Sequence, residues 1–217
     1  MSPASWDKNA TYLLYFSLYQ ALLVVAGFWY GPAICNALIV KTVTAGQLRQ
    51  TVDSALTELR QRAGRAQVVE VPVILAEYPV SFIVTAGLLP QQSRIFISSA
   101  MVERLGINGL RFVLARAMVH GRWPQRMAAM LPVLVLTVML PDTPADMSDW
   151  FGLGGFLLGW LILHWIFELR ADYQAAQAIG NEAAQGLREL LAATAKSDGW
   201  FAVHPPLRWR WYMVAGR

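Results

Sequence analysis

Three histidines, His120, His164 and His204, and two carboxylates one helical turn apart, Glu168 and Asp172, are the residues of this 217-residue chain best suited to chemistry. Imidazole nitrogens and carboxylate oxygens ligate metals and carry protons, so any metal or acid–base site would draw on this set. His164 stands one turn before Glu168, and Arg116 one turn before His120, so each pair shares a helix face. His204 is followed by Pro205 and Pro206, which fits a turn and packing role. No Gly-rich phosphate loop, nucleophile elbow, Cys–His pair or haem motif supports another enzyme class.

The chain that must position these residues is unusually apolar. Hydrophobic residues make up 56% and charged residues 15%, which points to a membrane protein with a more polar domain attached. The net charge of +4 comes from dispersed cations near apolar runs, with no dense basic tract, so the composition argues against nucleic acid and for the lipid bilayer. Cys35 is the one cysteine, which excludes an intrachain disulfide and a Cys-based zinc knuckle. Residues 12–40 are long enough for a tilted transmembrane helix and lack the basic cluster and cleavage site of a signal peptide, so a retained span is expected. Gly31 and Pro32 are candidates to kink it or end it early, and Asn36 to face a neighbouring helix.

From Lys41 the pattern changes. Leu48, Val52, Ala55, Leu56 and Leu59 recur at helical spacing, with Thr44 and Gln47 as a capping box and Gly64 at the end. Residues 68–75, 81–85 and 94–98 read as strands of a small sheet. Ser98 or Ser99 then caps a short helix stopping at Gly106, and Asn108 opens a central helix that holds residues 110–126. Residues 127–140 and 150–167 form an expected membrane hairpin around a turn at residues 141–149, with Pro132 a kink and the first arm short enough to be re-entrant or tilted. Arg104, Arg111, Arg116, Arg122, Arg126 and Arg170 flank the hairpin, whereas its loop holds Asp142, Asp146 and Asp149. The polar domain should therefore face the cytoplasm, with the N-terminus outside. Gly152, Gly155 and Gly159 offer a close-packing face, residues 168–194 read as one helix, and Trp6, Tyr12, Trp150 and residues 209–212 read as interfacial anchors.

Four features then fall in order: RIFISSAMVERLGINGLRFVLARAMVH, an apolar hairpin, Glu168 to Asp172 as E-x-x-A-D, and His204-Pro205-Pro206 with Arg208 beyond. Together they resemble the HtpX-like and CAAX-prenyl-protease-like membrane zinc metallopeptidases, of the gluzincin type, over about residues 45 to 210. The resemblance implies an α+β zincin-like peptidase domain with a small β-sheet, split as residues 41–126 and 168–217, with a transmembrane segment at 1–40 and an inserted membrane hairpin at 127–167. It also implies a multi-pass protein of a bacterial inner membrane. Family members bind zinc through two histidines of H-E-x-x-H and a glutamate of the later helix, with the motif glutamate as base.

Here His120 matches the second histidine and Glu168 the third ligand. Arg116 stands at the first histidine and Ala117 at the base. An arginine has no lone pair for a metal and an alanine moves no proton, so the resemblance implies a degenerate member without the family's catalyst or its zinc. Arg116 would then bridge Glu168 and Asp172 as a guanidinium in the metal's stead. Two alternatives stand beside this. Arg116 could lie on a solvated face with Arg122, or His120, His164 and Glu168 could rebuild a two-histidine, one-carboxylate metal site. The expected function is an inactive protease homologue acting as an accessory, scaffolding or regulatory subunit among other membrane proteins. The alternatives are an active peptidase with unusual ligands and a purely structural membrane subunit.

Overall fold

The computed structural model describes residues 8–39, 41–63, 71–122, 130–131, 147–194 and 204–216, with the side chains of residues 8–14, 63 and 147–150 left aside. The first arm of the expected hairpin at 127–140 (save residues 130–131, which are helical), its loop at 141–146, Gly64, Pro124, Arg126, Pro132 and Trp6 lie outside these residues. The fold is helix-rich α+β with one small sheet.

Helix α1 (Lys8–Leu38) continues past Gly31 and Pro32, so neither of them ends it. Helix α2 (Gln47–Ala63) follows. The Gly46 carbonyl accepts the first helical bond from Gln50 N at 3.1 Å. The helix therefore starts after Gly46, and Thr44 is two residues too early to form a capping box. Strands β1 (Val73–Ala76), β2 (Ile83–Ala86) and β3 (Arg94–Ser98) form a sheet in the order β1-β3-β2, parallel between β1 and β3 and antiparallel between β2 and β3. The first strand is shorter than expected from the sequence and starts at Val73.

Ser98 caps α3 (Ser99–Arg104) by accepting from Met101 N at 3.2 Å, as its position before an apolar run predicts. Helix α4 (Ile107–His120) begins after Gly106, one residue before Asn108, and ends at Gly121. Asn108 serves within the first turn instead, accepting from Arg111. The helix is nearly all apolar where it meets its neighbours, and Phe112, Val113 and Leu114 are fully buried between the sheet and helices α2, α5 and α6.

Helix α5 (Met147–Ile179) joins what the sequence divides at residues 167 and 168. Its exposed apolar side chains, from Phe151 to Ile166, give way to Ala171, Asp172, Ala175 and Ala176 buried in the core. One continuous helix thus carries the apolar stretch into the polar domain. Gly180 adopts φ +78°, a left-handed conformation, and breaks the expected single helix before α6 (Ala183–Thr194). The last helix is α7 (Leu207–Ala215).

Two segments, Tyr15–Leu38 and Phe151–Thr194, contain helices long and apolar enough to cross a membrane. Only 0% and 6% of their apolar windows are buried inside the protein, unlike the core helix of a soluble domain. Gly152, Gly155 and Gly159 have nothing within 4 Å of a hypothetical Cβ among the described residues. Gly186 is the opposite case, because a Cβ there would stand 2.6 Å from the Asn108 carbonyl oxygen where α6 crosses α4. Gly186→Ala should destabilise the protein by about 1–3 kcal/mol, read from unfolding in detergent, while Gly152→Ala should leave it unchanged.

Candidate functional site

Helices α4 and α5 pack side by side, which sets Arg116 and His120 of one opposite Glu168 and Asp172 of the other. Each pair is spaced four residues apart, so both lie on the facing stripe of their helix. An Arg116 terminal nitrogen donates to Glu168 Oε2, and Arg116 Nε stands 2.9 Å from Asp172 Oδ1 as an ion pair rather than an aligned hydrogen bond. Glu168 is 4% exposed and Asp172 is fully buried. Their charges would be very costly in that setting without a fixed cation.

The rest of the shell comes from His120 of α4 and from the C-terminal segment. His204 Nδ1 lies 2.8 Å from Glu168 Oε2, and His120 Nε2 lies 3.2 Å from Glu168 Oε1. Arg210 donates from Nε to Asp172 Oδ2 at 2.6 Å and from a terminal nitrogen to Asp172 Oδ1 at 3.1 Å, a two-pronged grip that is itself buried. Every carboxylate oxygen of the pair is therefore engaged by an arginine or a histidine. Burial disfavours the Arg116 charge, but Glu168 and then Asp172 more than offset it and hold the guanidinium above its ordinary pKa. Its contribution is present below the unfolded pKa and would be lost only on passing the raised folded one, so it does not weaken between neutral and mildly alkaline pH.

Arg116, His120, Glu168 and Asp172 converge, with Arg116 between the two carboxylates, and Arg116 is not on a solvated face with Arg122. Arg122 instead donates to Gln174 at 3.0 Å. His204, read as a turn residue, has a polar partner as well. His164 stacks on Trp160 with ring centroids 5.5 Å apart, and its Nε2 is buried without a hydrogen-bond partner among the described residues. No group of three or more His, Cys, Asp or Glu side chains among the described residues could hold a metal ion, so the alternative set of His120, His164 and Glu168 is not assembled. The donor set does not fit zinc, because the Arg116 guanidinium fills the place between the two carboxylates and offers no lone pair.

Ala117 is buried, and its carbonyl accepts from Thr85 Oγ1 of β2 at 3.3 Å, which ties the sheet to α4. Its methyl supplies no base. Sequence reading passed over Arg210 in favour of Arg208, which is solvent-exposed. The overlooked signal is helical spacing, since Leu207, Arg210, Trp211 and Val214 form one stripe and an arginine on such a stripe needs a buried anion. Compared with protein-family models and with curated protein sequences, the chain gives no significant match to either.

Arg116→Leu should lower the unfolding free energy in detergent by about 3 kcal/mol or more, because it removes the one cation shared by two buried carboxylates and leaves Glu168 with histidines alone. Exposed Arg60→Leu should change little, and equal effects from the two would remove the clamp from the account.

Proposed function

We propose that this chain is an inactive homologue of membrane zinc metallopeptidases, serving as an accessory, scaffolding or regulatory subunit among other membrane proteins. The observation that carries the reading is Arg116, bridging Glu168 and Asp172 where such a peptidase has its first metal-binding histidine. Ala117 next to it removes the water-activating group as well. A zincin-like ancestry accounts for why two buried carboxylates, two histidines and two arginines meet at one point. In a chain with no catalytic past, an apolar core there would serve stability as well or better.

In this reading the polar domain faces the cytoplasm of a bacterial inner membrane, because Arg104, Arg111, Arg116, Arg122 and Arg170 lie on its side of the spans. Binding of a protein segment is supported by β2, which is an outer strand of the sheet and exposes Val84 and, in the preceding loop, Tyr78 and Val80. An apolar cleft of about 340 Å³, lined by Val24, Phe28, Thr85 and Ala86, runs between α1 and that edge. An extended segment could add to the open edge through main-chain hydrogen bonds.

The test is elemental analysis of the purified chain with a casein or membrane-substrate cleavage assay, beside the double variant Arg116→His, Ala117→Glu. The native chain should carry no zinc and cut nothing, and the double variant should take up about one zinc per chain, as a His, His, Glu ligand set would. Stoichiometric zinc or cleavage in the native chain would overturn the reading.

A further inference from the structure

Helix α7 has two unlike faces. Arg210, Trp211 and Val214 point inward, with Arg210 on Asp172 and Trp211 under the Arg188 guanidinium at 4.8 Å from the ring centroid. Arg208, Trp209 and Tyr212 point outward, and Tyr212 is 75% exposed. Trp209, 43% exposed, and Tyr212 thus turn apolar ring surface outward beside an arginine on one short helix. They are the residue types that settle at a bilayer interface, where an aromatic ring has an apolar body in the acyl boundary and a polar edge among headgroups.

The depth of that face is fixed by a second contact. Trp209 packs edge-on against Trp165 of α5, with centroids 5.7 Å apart and planes at 89°. Trp165 sits at the end of the apolar stretch of α5. Ile162, Leu163 and Ile166 beside it are exposed hydrophobics, and the next exposed charge is Arg170. If α5 crosses a bilayer, Trp165 lies at the level where hydrocarbon meets headgroup, and Trp209 and Tyr212 are continuous with its lipid-facing surface.

We propose that α7 is an interfacial helix, lying along the membrane surface with Trp209 and Tyr212 in the phospholipid headgroup layer and Arg208 paired to lipid phosphate. This rests on α5 spanning the membrane and not on the loss of protease chemistry. It gives the buried cluster a membrane-facing lid, since the helix that touches lipid on one face delivers Arg210 to Asp172 on the other. Two arms of one element thus join the charge cluster to the bilayer surface.

The test uses full-length protein carrying Cys35→Ser, reconstituted in phosphatidylcholine–phosphatidylglycerol nanodiscs with no other protein present. Single nitroxide labels are placed through Tyr212→Cys, Leu158→Cys and Ser54→Cys, and their collision rates with oxygen and with a water-soluble nickel chelate are compared. Leu158 should show the highest oxygen-to-nickel ratio, Tyr212 a severalfold higher ratio than Ser54, and Ser54 the value of a label in water. A Tyr212 ratio equal to that at Ser54, with Leu158 in the bilayer, overturns the interfacial helix alone. A Leu158 ratio equal to that at Ser54 overturns the spanning helix and the proposal with it.

Discussion

Two buried carboxylates one turn apart need a cation, and the fold around α4 and α5 is arranged to supply it. Glu168 and Asp172 lie on the stretch of α5 that has just left its apolar span, in a core otherwise lined by alanine and aliphatic side chains. Uncompensated charge there would drive the helices apart or force protonation. Arg116 answers from α4 and Arg210 from α7, so three helices distant in sequence are held by one electrostatic requirement. Such a cluster fixes arrangement more than it adds net stability, because desolvating four charged groups offsets much of their attraction.

The surrounding packing serves the same geometry. Arg111 of α4 pairs with Glu58 of α2 and Glu182 in the turn after α5, which locks the rotation of α4 from its other side. Glu182 also meets Arg62, whose hydrogen bond holds its carboxyl below the ordinary range. Glu189 of α6 accepts from Gly109 N at 2.6 Å and so satisfies an orphan donor in the first turn of α4, where a negative charge also suits the helix dipole. Helix α4 is thereby held at its start and along its flank, leaving Arg116 and His120 a fixed approach to α5.

Much of this was legible in the sequence because it is written in local spacing. The four-residue intervals between Arg116 and His120 and between Glu168 and Asp172 fix which side chains share a helix face, and Ser98 ahead of an apolar run announces the α3 cap. What escaped was whatever depends on elements distant in sequence. Arg210 looked like one more cation among tryptophans, since only the docking of α7 reveals that its stripe meets Asp172. Helix α5 read as two elements because its surroundings change from lipid-like to core, and composition follows surroundings while the backbone continues. His164 showed metal-ligand spacing, yet spacing along one helix does not say which neighbour the ring meets, and Trp160 is that neighbour.

In the proposed reading the Arg116 guanidinium stands in a metal's stead between the two carboxylates of this site. Thermal unfolding of the native chain in detergent, alone, with a strong chelator, and with zinc in excess, tests it without altering a residue. A ligand that binds only the folded state must raise its stability as concentration rises, and its removal must lower it. One midpoint is expected under all three conditions. A midpoint that falls with chelator or climbs saturably with zinc would contradict it.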